Sequence, residues 1–319
     1  ASLLVTHRGA AVAQARNIPF ARAFTFPVTP TASYASPFLG NCLPTLPRDV
    51  LRLRSHAMAR SILLREQRAA LDEARGRLAL PPLPGTADDD LEGRGVATLH
   101  LFDERVLPRP RDWPSRHVVT GYCALQPELR VRLGEPDVGE LEPWLAKGEP
   151  PIFFGFGSIP VLEPTVLVEI VSEVCRALGA RGLVCAGWST LIAPVGEHIR
   201  VMPAVDHASV LPRCRAAVHH GGAGTTGASL TAGIPTVVCS VFGDQPLWGH
   251  RVEALGVGAT LPLQRLTSGR LLEALRVAMR DDVVARARGL GGALSATHGA
   301  AQGVDALLGA WSEPLSVRS

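Results

Sequence analysis

The chain has 319 residues, of which 46% are hydrophobic and 19% charged, enough length and apolar content for two domains with buried cores. That balance excludes a disordered chain, and a net charge of +3 with basic residues spread along the sequence gives no argument for nucleic-acid binding. Cys42, Cys123, Cys175, Cys185, Cys214 and Cys239 stand singly without a CxxC pair, which reads as reduced thiols of a cytoplasmic protein.

The opening "SLLVTH" is a short apolar run that predicts a strand, with His7 at its end and no charged leader before it. "GAAVAQARNI" has helical composition, and "IPFARAFTFP" returns to strand-like residues, the rhythm of an α/β layer. Residues 27–47 carry five prolines and read as loop. Residues 49–80 are Arg-rich and helical, with Met58, Ile62 and Leu63 placed to share a face. A basic helix of this kind allows peripheral membrane contact, although a solvated face is the commoner outcome. Residues 81–95, "PPLPGTADDDLEGRG", read as a turn-rich loop in which Asp88, Asp89 and Asp90 form a solvated acidic patch rather than a metal site. No apolar run is long enough to cross a bilayer.

Composition shifts around 136–151, where "PDVGELEPWLAKGEPP" reads as a linker with a short helix at "ELEPWL". A clean alternation follows. "PIFFGFGS", "RGLVCAG", "IRVMP", "AAVHH" and "PTVVCS" are strands, with helices at "PTVLVEIVSEVCRAL", "HASVLPRC", "GTTGASLTAG" and "PLWGHRVEALG". Strands separated by helices, with glycines at strand ends, specify a doubly wound parallel sheet.

Such sheets bind ligands at the carboxyl ends of their strands. "HHGGAGTT" lies at one of those ends, and its glycines let backbone approach a ligand closely. The helix that follows offers free N–H groups and the positive end of its dipole, which suits a diphosphate. His220 and Thr225 add side-chain donors, while a packed strand residue is the plainer role for His219. "FGDQPLWG" follows another strand end, and the Asp244–Gln245 pair suits vicinal sugar hydroxyls. Neither GxGxxG with a downstream acid nor GxxxxGK[ST] occurs, so a diphosphate carrying a sugar is the ligand that fits both halves.

The stretch "VHHGGAGTTGASLTAGIPTVVCSVFGDQPLWGHRVEALGVG" resembles the donor-binding signature of the UDP-glycosyltransferase superfamily, nearest its sterol 3-beta-glucosyltransferase and bacterial natural-product branches. "GFGS" at 155–158 and "AVDH" at 204–207 match in order and spacing, and the likeness runs strongly over 150–300 and weakly over 1–50. The resemblance implies an α/β fold of the GT-B type, two Rossmann-like domains with parallel sheets facing a cleft. The implied organisation is a partial acceptor-binding domain at 1–138, a linker at 139–150, a donor-binding domain at 151–300, and a helix and tail at 301–319 that pack back on the first domain. It implies transfer of a hexose, with inversion, from a UDP- or dTDP-sugar to an acceptor hydroxyl, with no metal and no other cofactor.

Carried over residue by residue, the diphosphate would meet Ser158, His220, Gly222, Gly224 and Thr225, the sugar Asp244 and Gln245, and the base Val205 and Trp188. Val201, Ala204 and Ala228 stand where plant members carry a Trp, a Gln and a ribose-binding Glu, which favours the sterol and bacterial branches and leaves UDP against dTDP open. Phe24, Phe26, Tyr34 and Phe38 in the acceptor-loop region point to an apolar acceptor such as a sterol, polyketide or lipid. The family's catalytic base follows the first strand of the acceptor domain, which has no counterpart in the sequence at hand, so that base is expected upstream of Ala1. His7 is the weak candidate within the sequence, a cleft-lining role being the first expectation. A nucleotide-sugar-binding protein without a base is the alternative.

Overall fold

The computed structural model describes residues 5–42, 49–125, 127–134, 139, 141–156, 164–186 and 196–312. They fall into two compact units, 1–123 with 298–319, and 124–297. Residues 124, 125 and 127–134 thus group with the second unit.

The first unit starts with α1 (Thr6–Arg16), β1 (Ala21–Phe24), α2 (Asp49–Arg77), α3 (Ala87–Gly93), β2 (Ala97–His100) and β3 (His117–Val119). Its three strands form a parallel sheet in the order β1-β2-β3. The strand expected at "SLLVTH" is corrected over its described part: Ala1, Ser2, Leu3 and Leu4 lie outside the described residues, and Thr6 and His7 open a helix. Thr6, His7, Ala10, Ala11 and Ala13 are the buried positions of α1, spaced for one helical face rather than for alternation. The helix ends at Asn17, whose φ of 51° is left-handed and whose N–H returns to Ala13 and Gln14.

The loop expected at 81–95 is likewise corrected, because α3 forms inside it. Thr86 caps the helix by accepting from the Asp89 N–H at 3.2 Å, and three aspartates in the first turn favour its positive dipole end. Propensity alone disfavours Asp in a helix, but at the first turn position decides.

The second unit contains α4 (Pro127–Arg132), α5 (Glu142–Leu145), β4 (Ile152–Gly155), α6 (Pro164–Ala177), β5 (Gly182–Cys185), β6 (Ile199–Met202) and α7 (His207–Val210). It continues through β7 (Ala216–His219), α8 (Ala223–Thr231), β8 (Thr236–Val238), α9 (Gln245–Ala254), β9 (Gly258–Thr260), α10 (Ser268–Ala278) and α11 (Asp281–Ser295). All six strands run parallel in the order β6-β5-β4-β7-β8-β9. Alternate residues enter opposite cores. Phe154, Val218 and Val237 pack with Val171, Leu271 and Leu275 on one face, and Phe153, Leu183 and Ala217 pack with Leu211 and Ile234 on the other. Both faces are covered, which is why the strands read as continuous apolar runs.

The chain then returns through α12 (Gly299–Ser312), which belongs to the first unit and packs on β2. Among the described residues no helix is long and apolar enough to cross a membrane.

Candidate functional site

In the six-stranded sheet the order reverses between β4 and β7, so their loops depart in opposite directions and leave a crevice at the strand ends. Gly155 and His219 are partners in that pair. One residue on, the His220 N–H donates to the Gly155 carbonyl at 3.3 Å, and its Nδ1 lies 3.4 Å from the same oxygen. His220 is therefore held at the switch point by the neighbouring strand.

His219 is fully buried, and both ring nitrogens are engaged. The Gly221 N–H donates to Nδ1 at 3.0 Å, which makes Nε2 the protonated nitrogen, and Nε2 lies 3.2 Å from Ser229 Oγ. Ser229 in turn donates to the Thr226 carbonyl at 3.0 Å. The chain of bonds ties the glycine loop to the helix behind it, and burial pushes the His219 pKa down to about 3.

Gly221 and Gly222 are needed for space. Gly221 has a φ of 91°, and a Cβ there would lie 2.6 Å from Val238 and 3.2 Å from the Gln245 carbonyl. At Gly222 a Cβ would lie 2.6 Å from His220 Nε2. Gly222 is also the N-cap of α8 and supplies no side-chain acceptor, so the first N–H groups of α8 stay open to a ligand. Thr226 does not face that opening, because its hydroxyl donates to the Gly222 carbonyl at 2.9 Å. Gly224 is exposed and Thr225 half-buried at the same turn.

The close approach at Gly221 brings in the start of α9. Burial raises the Asp244 carboxyl, opposed by a hydrogen bond from Trp248 Nε1 at 2.7 Å and by the nearby His220. The ring of His220 is pushed down by burial, partly offset by the Gly155 carbonyl and by Asp244. Gln245 is 5% exposed, and its Oε1 accepts from the Val241 N–H at 2.8 Å and lies 3.4 Å from the Phe242 N. That leaves its NH₂ group for a ligand. Val205 is half-buried beside the core under β5, followed by Asp206, which caps α7 and pairs with Arg130. Ser158 and Trp188 lie outside the described residues, and so does Ala1 with the base expected upstream of it.

The first unit holds a cavity of about 260 Å³. Phe24, Val28, Pro30, Phe38 and Trp113 give it apolar walls, and Phe38 meets Phe26 edge-on at 5.6 Å. His7, Arg22, Arg60, Asp88 and Glu92 make its polar end. His7 Nε2 lies 3.1 Å from Asp88 Oδ1, so His7 stands in the first turn of α1 and not at a strand end. Asp88, read from sequence as solvated, is instead a structural ion: Arg60 lies 3.1 Å and Arg22 3.6 Å from its oxygens. Burial would raise this carboxyl, but the His7 hydrogen bond and the two guanidinium groups hold it below its usual range. Arg22 also pairs with Glu92, and Glu92 lies 3.2 Å from His117 Nε2. Tyr34 does not line the cavity; burial raises its hydroxyl pKa.

Comparison with known proteins follows the same outline. Residues 179–290 match the family "Erythromycin biosynthesis protein CIII-like, C-terminal domain". The sterol 3-beta-glucosyltransferase UGT80A2 of Arabidopsis thaliana is 33% identical over 299 residues, covering 92% of this chain and 46% of that protein. The chain belongs to the UDP-glycosyltransferase superfamily. It spans about half the length of that sterol glucosyltransferase. Its fold matches the glycosyltransferase VinC, solved with dTDP, at a TM-score of 0.62 and 20% identity over 97% of this chain and 71% of that one. It also matches a UDP-glucose:anthocyanidin 3-O-glucosyltransferase, solved with UDP, at 0.62 and 17% over 96% and 73%. The fold is thus that of the GT-B glycosyltransferases.

Two details of the site were not legible in the sequence. His219, read from the sequence as a packed strand residue, is buried, and its hydrogen bonds fasten the loop from behind. Gln245, paired in the sequence with Asp244 for vicinal sugar hydroxyls, uses one end of its amide to hold the 241–242 turn. Because the His219 pKa is lowered on folding, the unfolded chain binds the extra proton, so stability is full above the ordinary pKa of 6.5 and falls as the pH drops below it. The loss between pH 7 and 5 is about 2 kcal/mol from this group. Urea denaturation at the two pH values checks this, and His219→Gln should flatten the difference.

Proposed function

We propose that the chain binds a nucleoside diphospho-sugar at the 220–225 loop and is an inverting hexosyltransferase to a hydroxyl of an apolar acceptor. The observation that carries the reading is the α8 N-terminus: a glycine cap without a side-chain acceptor, beside His220, at the reversal point of a parallel sheet. In this reading the diphosphate lies on the open N–H groups of α8, with Gly222, Gly224 and Thr225 beside it. Asp244 and the Gln245 amide N–H₂ take the sugar hydroxyls. UDP and dTDP remain the two nucleotides for the donor, and the solved relatives carrying one or the other support both. Val205, Ser158 and Trp188 keep the roles that the family resemblance gives them.

With the His220 Nδ1–H directed at Gly155, Nε2 becomes a donor toward an anion when the ring is protonated. A diphosphate beside it supplies the reason for protonation, opposing the effect of burial. The acceptor oxygen forms the new bond at the anomeric carbon as the bond to the diphosphate breaks. Charge growing on the leaving group is met by the helix dipole and His220, so the reaction runs without a metal. The acceptor proton passes to a base; His7, which lines the cavity of the first unit and is hydrogen-bonded to Asp88, is the candidate the sequence names, with a cleft-lining role the first expectation for it. The apolar walls around Phe24, Phe38 and Trp113 support an apolar acceptor, and singly buried thiols such as Cys175, Cys214 and Cys239 support a cytoplasmic location.

Release of nucleoside diphosphate from UDP-glucose or dTDP-glucose, measured with a panel of sterol and polyketide alcohols, tests the reading. Acceptor-dependent turnover is expected; donor binding without turnover for any acceptor would favour the base-less binding protein instead. Asp244→Asn should lower kcat/KM for the donor sugar by about 10-fold or more while free nucleotide binds as before. Turnover should persist in excess EDTA, and its abolition there would contradict the metal-free step.

A further inference from the structure

The exposed face of α2 has a composition that neither fold nor transfer chemistry uses. The helix runs from Asp49 to Arg77, and its first half buries Ser55, His56 and Ala59. Along the flank of that buried face Leu51, Arg54, Met58, Ile62 and Arg65 follow at helical spacing, covering about 20 Å of its length. Met58 and Ile62 are 56% and 58% exposed, and Val50 beside them is 59% exposed. A solvated face alternates charges of both signs; this one shows long apolar side chains to water, with arginine at intervals.

The charge is one-sided. Between Asp49 and Glu66 the sequence has four arginines, Arg52, Arg54, Arg60 and Arg65, and no acidic residue. Two of them are committed: Arg60 pairs with Asp88 and Asp89, and Arg52 with Asp49. Arg54 and Arg65, both exposed, stand in the apolar stripe itself. An apolar stripe flanked by guanidinium groups matches a layer in which acyl chains lie beneath negative headgroups. An acidic protein groove would supply the charge, but a stripe of protruding Leu, Met and Ile without an aromatic anchor fits a fluid apolar phase better than a fixed pocket.

We propose that the α2 face formed by Leu51, Arg54, Met58, Ile62 and Arg65 docks this chain on the surface of a bilayer carrying anionic lipid. Docking is peripheral and reversible, since the stripe is a few side chains wide, and it weakens with salt as the headgroup charge is screened. This surface is independent of the donor loop, so its fate does not depend on the transferase reading.

Co-sedimentation of the whole chain with vesicles tests it, using phosphatidylcholine alone and phosphatidylcholine with roughly 30% phosphatidylglycerol to supply an anionic surface. Binding to the anionic vesicles is expected, at least about 10-fold stronger than to the neutral ones and falling at about 0.5 M salt, where the screening length is only about 4 Å. Arg54→Glu with Arg65→Glu, and separately Met58→Ser with Ile62→Ser, should each weaken it by about 10-fold with an unchanged circular dichroism spectrum. All four side chains are exposed, so the variants retain the fold. No binding of the folded wild type to anionic vesicles overturns the proposal. So does equal binding to neutral vesicles, or binding that both variants keep.

Discussion

His220 is positioned by a strand that is distant in sequence. The parallel pairing of β4 with β7 sets Gly155 beside His219, and the carbonyl of Gly155 then takes the His220 N–H. A shift of register by one residue would exchange the buried and presented histidines and turn every side chain of β7 to the other core. Phe153 and Phe154, fully buried in opposite cores, hold that register through the apolar packing on each face. The candidate site therefore depends on the whole six-stranded sheet, although its residues sit within a short stretch of chain.

From this constraint the rest of the loop follows. His219 points inward and must be neutral, so it becomes a fastening between Gly221 and Ser229. Gly221 turns with positive φ and lets α9 approach, which brings Asp244 near enough to His220 to influence its titration. Trp248, one turn into α9, holds Asp244 from the other side. The arrangement is preorganised: donors and carboxylate are held by buried partners before a ligand arrives, so little ordering remains to oppose binding.

Much of the second unit was legible in the sequence because its strands are buried on both faces. Runs such as "PIFFGFGS" and "PTVVCS" have few other readings, and glycine marks the end of several helices and strands. The first unit was harder. β2 and β3, which the sequence reading leaves unassigned, carry the polar residues His100 and His117, both buried, with Trp113 stacked on His100 at 4.0 Å and Glu92 meeting His117. The acidic run at Asp88 looked solvated because its partners, His7, Arg22 and Arg60, come from three separate elements. No local pattern announces such a convergence. The glycine loop was legible as an anion site with His220 presented and His219 packed, whereas the bonds from His219 to Gly221 and Ser229 depend on strand register and helix packing, which sequence spacing does not supply.

The central claim is that His220 and the open end of α8 form a working nucleotide site. Calorimetric titration of the chain with UDP and with dTDP, repeated on His220→Ala, tests it most directly. The account predicts that at least one of the two nucleotides binds and that the variant binds it about 10-fold more weakly or worse, the loss expected for one charge-assisted hydrogen bond. A folded chain that binds neither nucleotide, or a variant that binds as tightly as the parent, would contradict it.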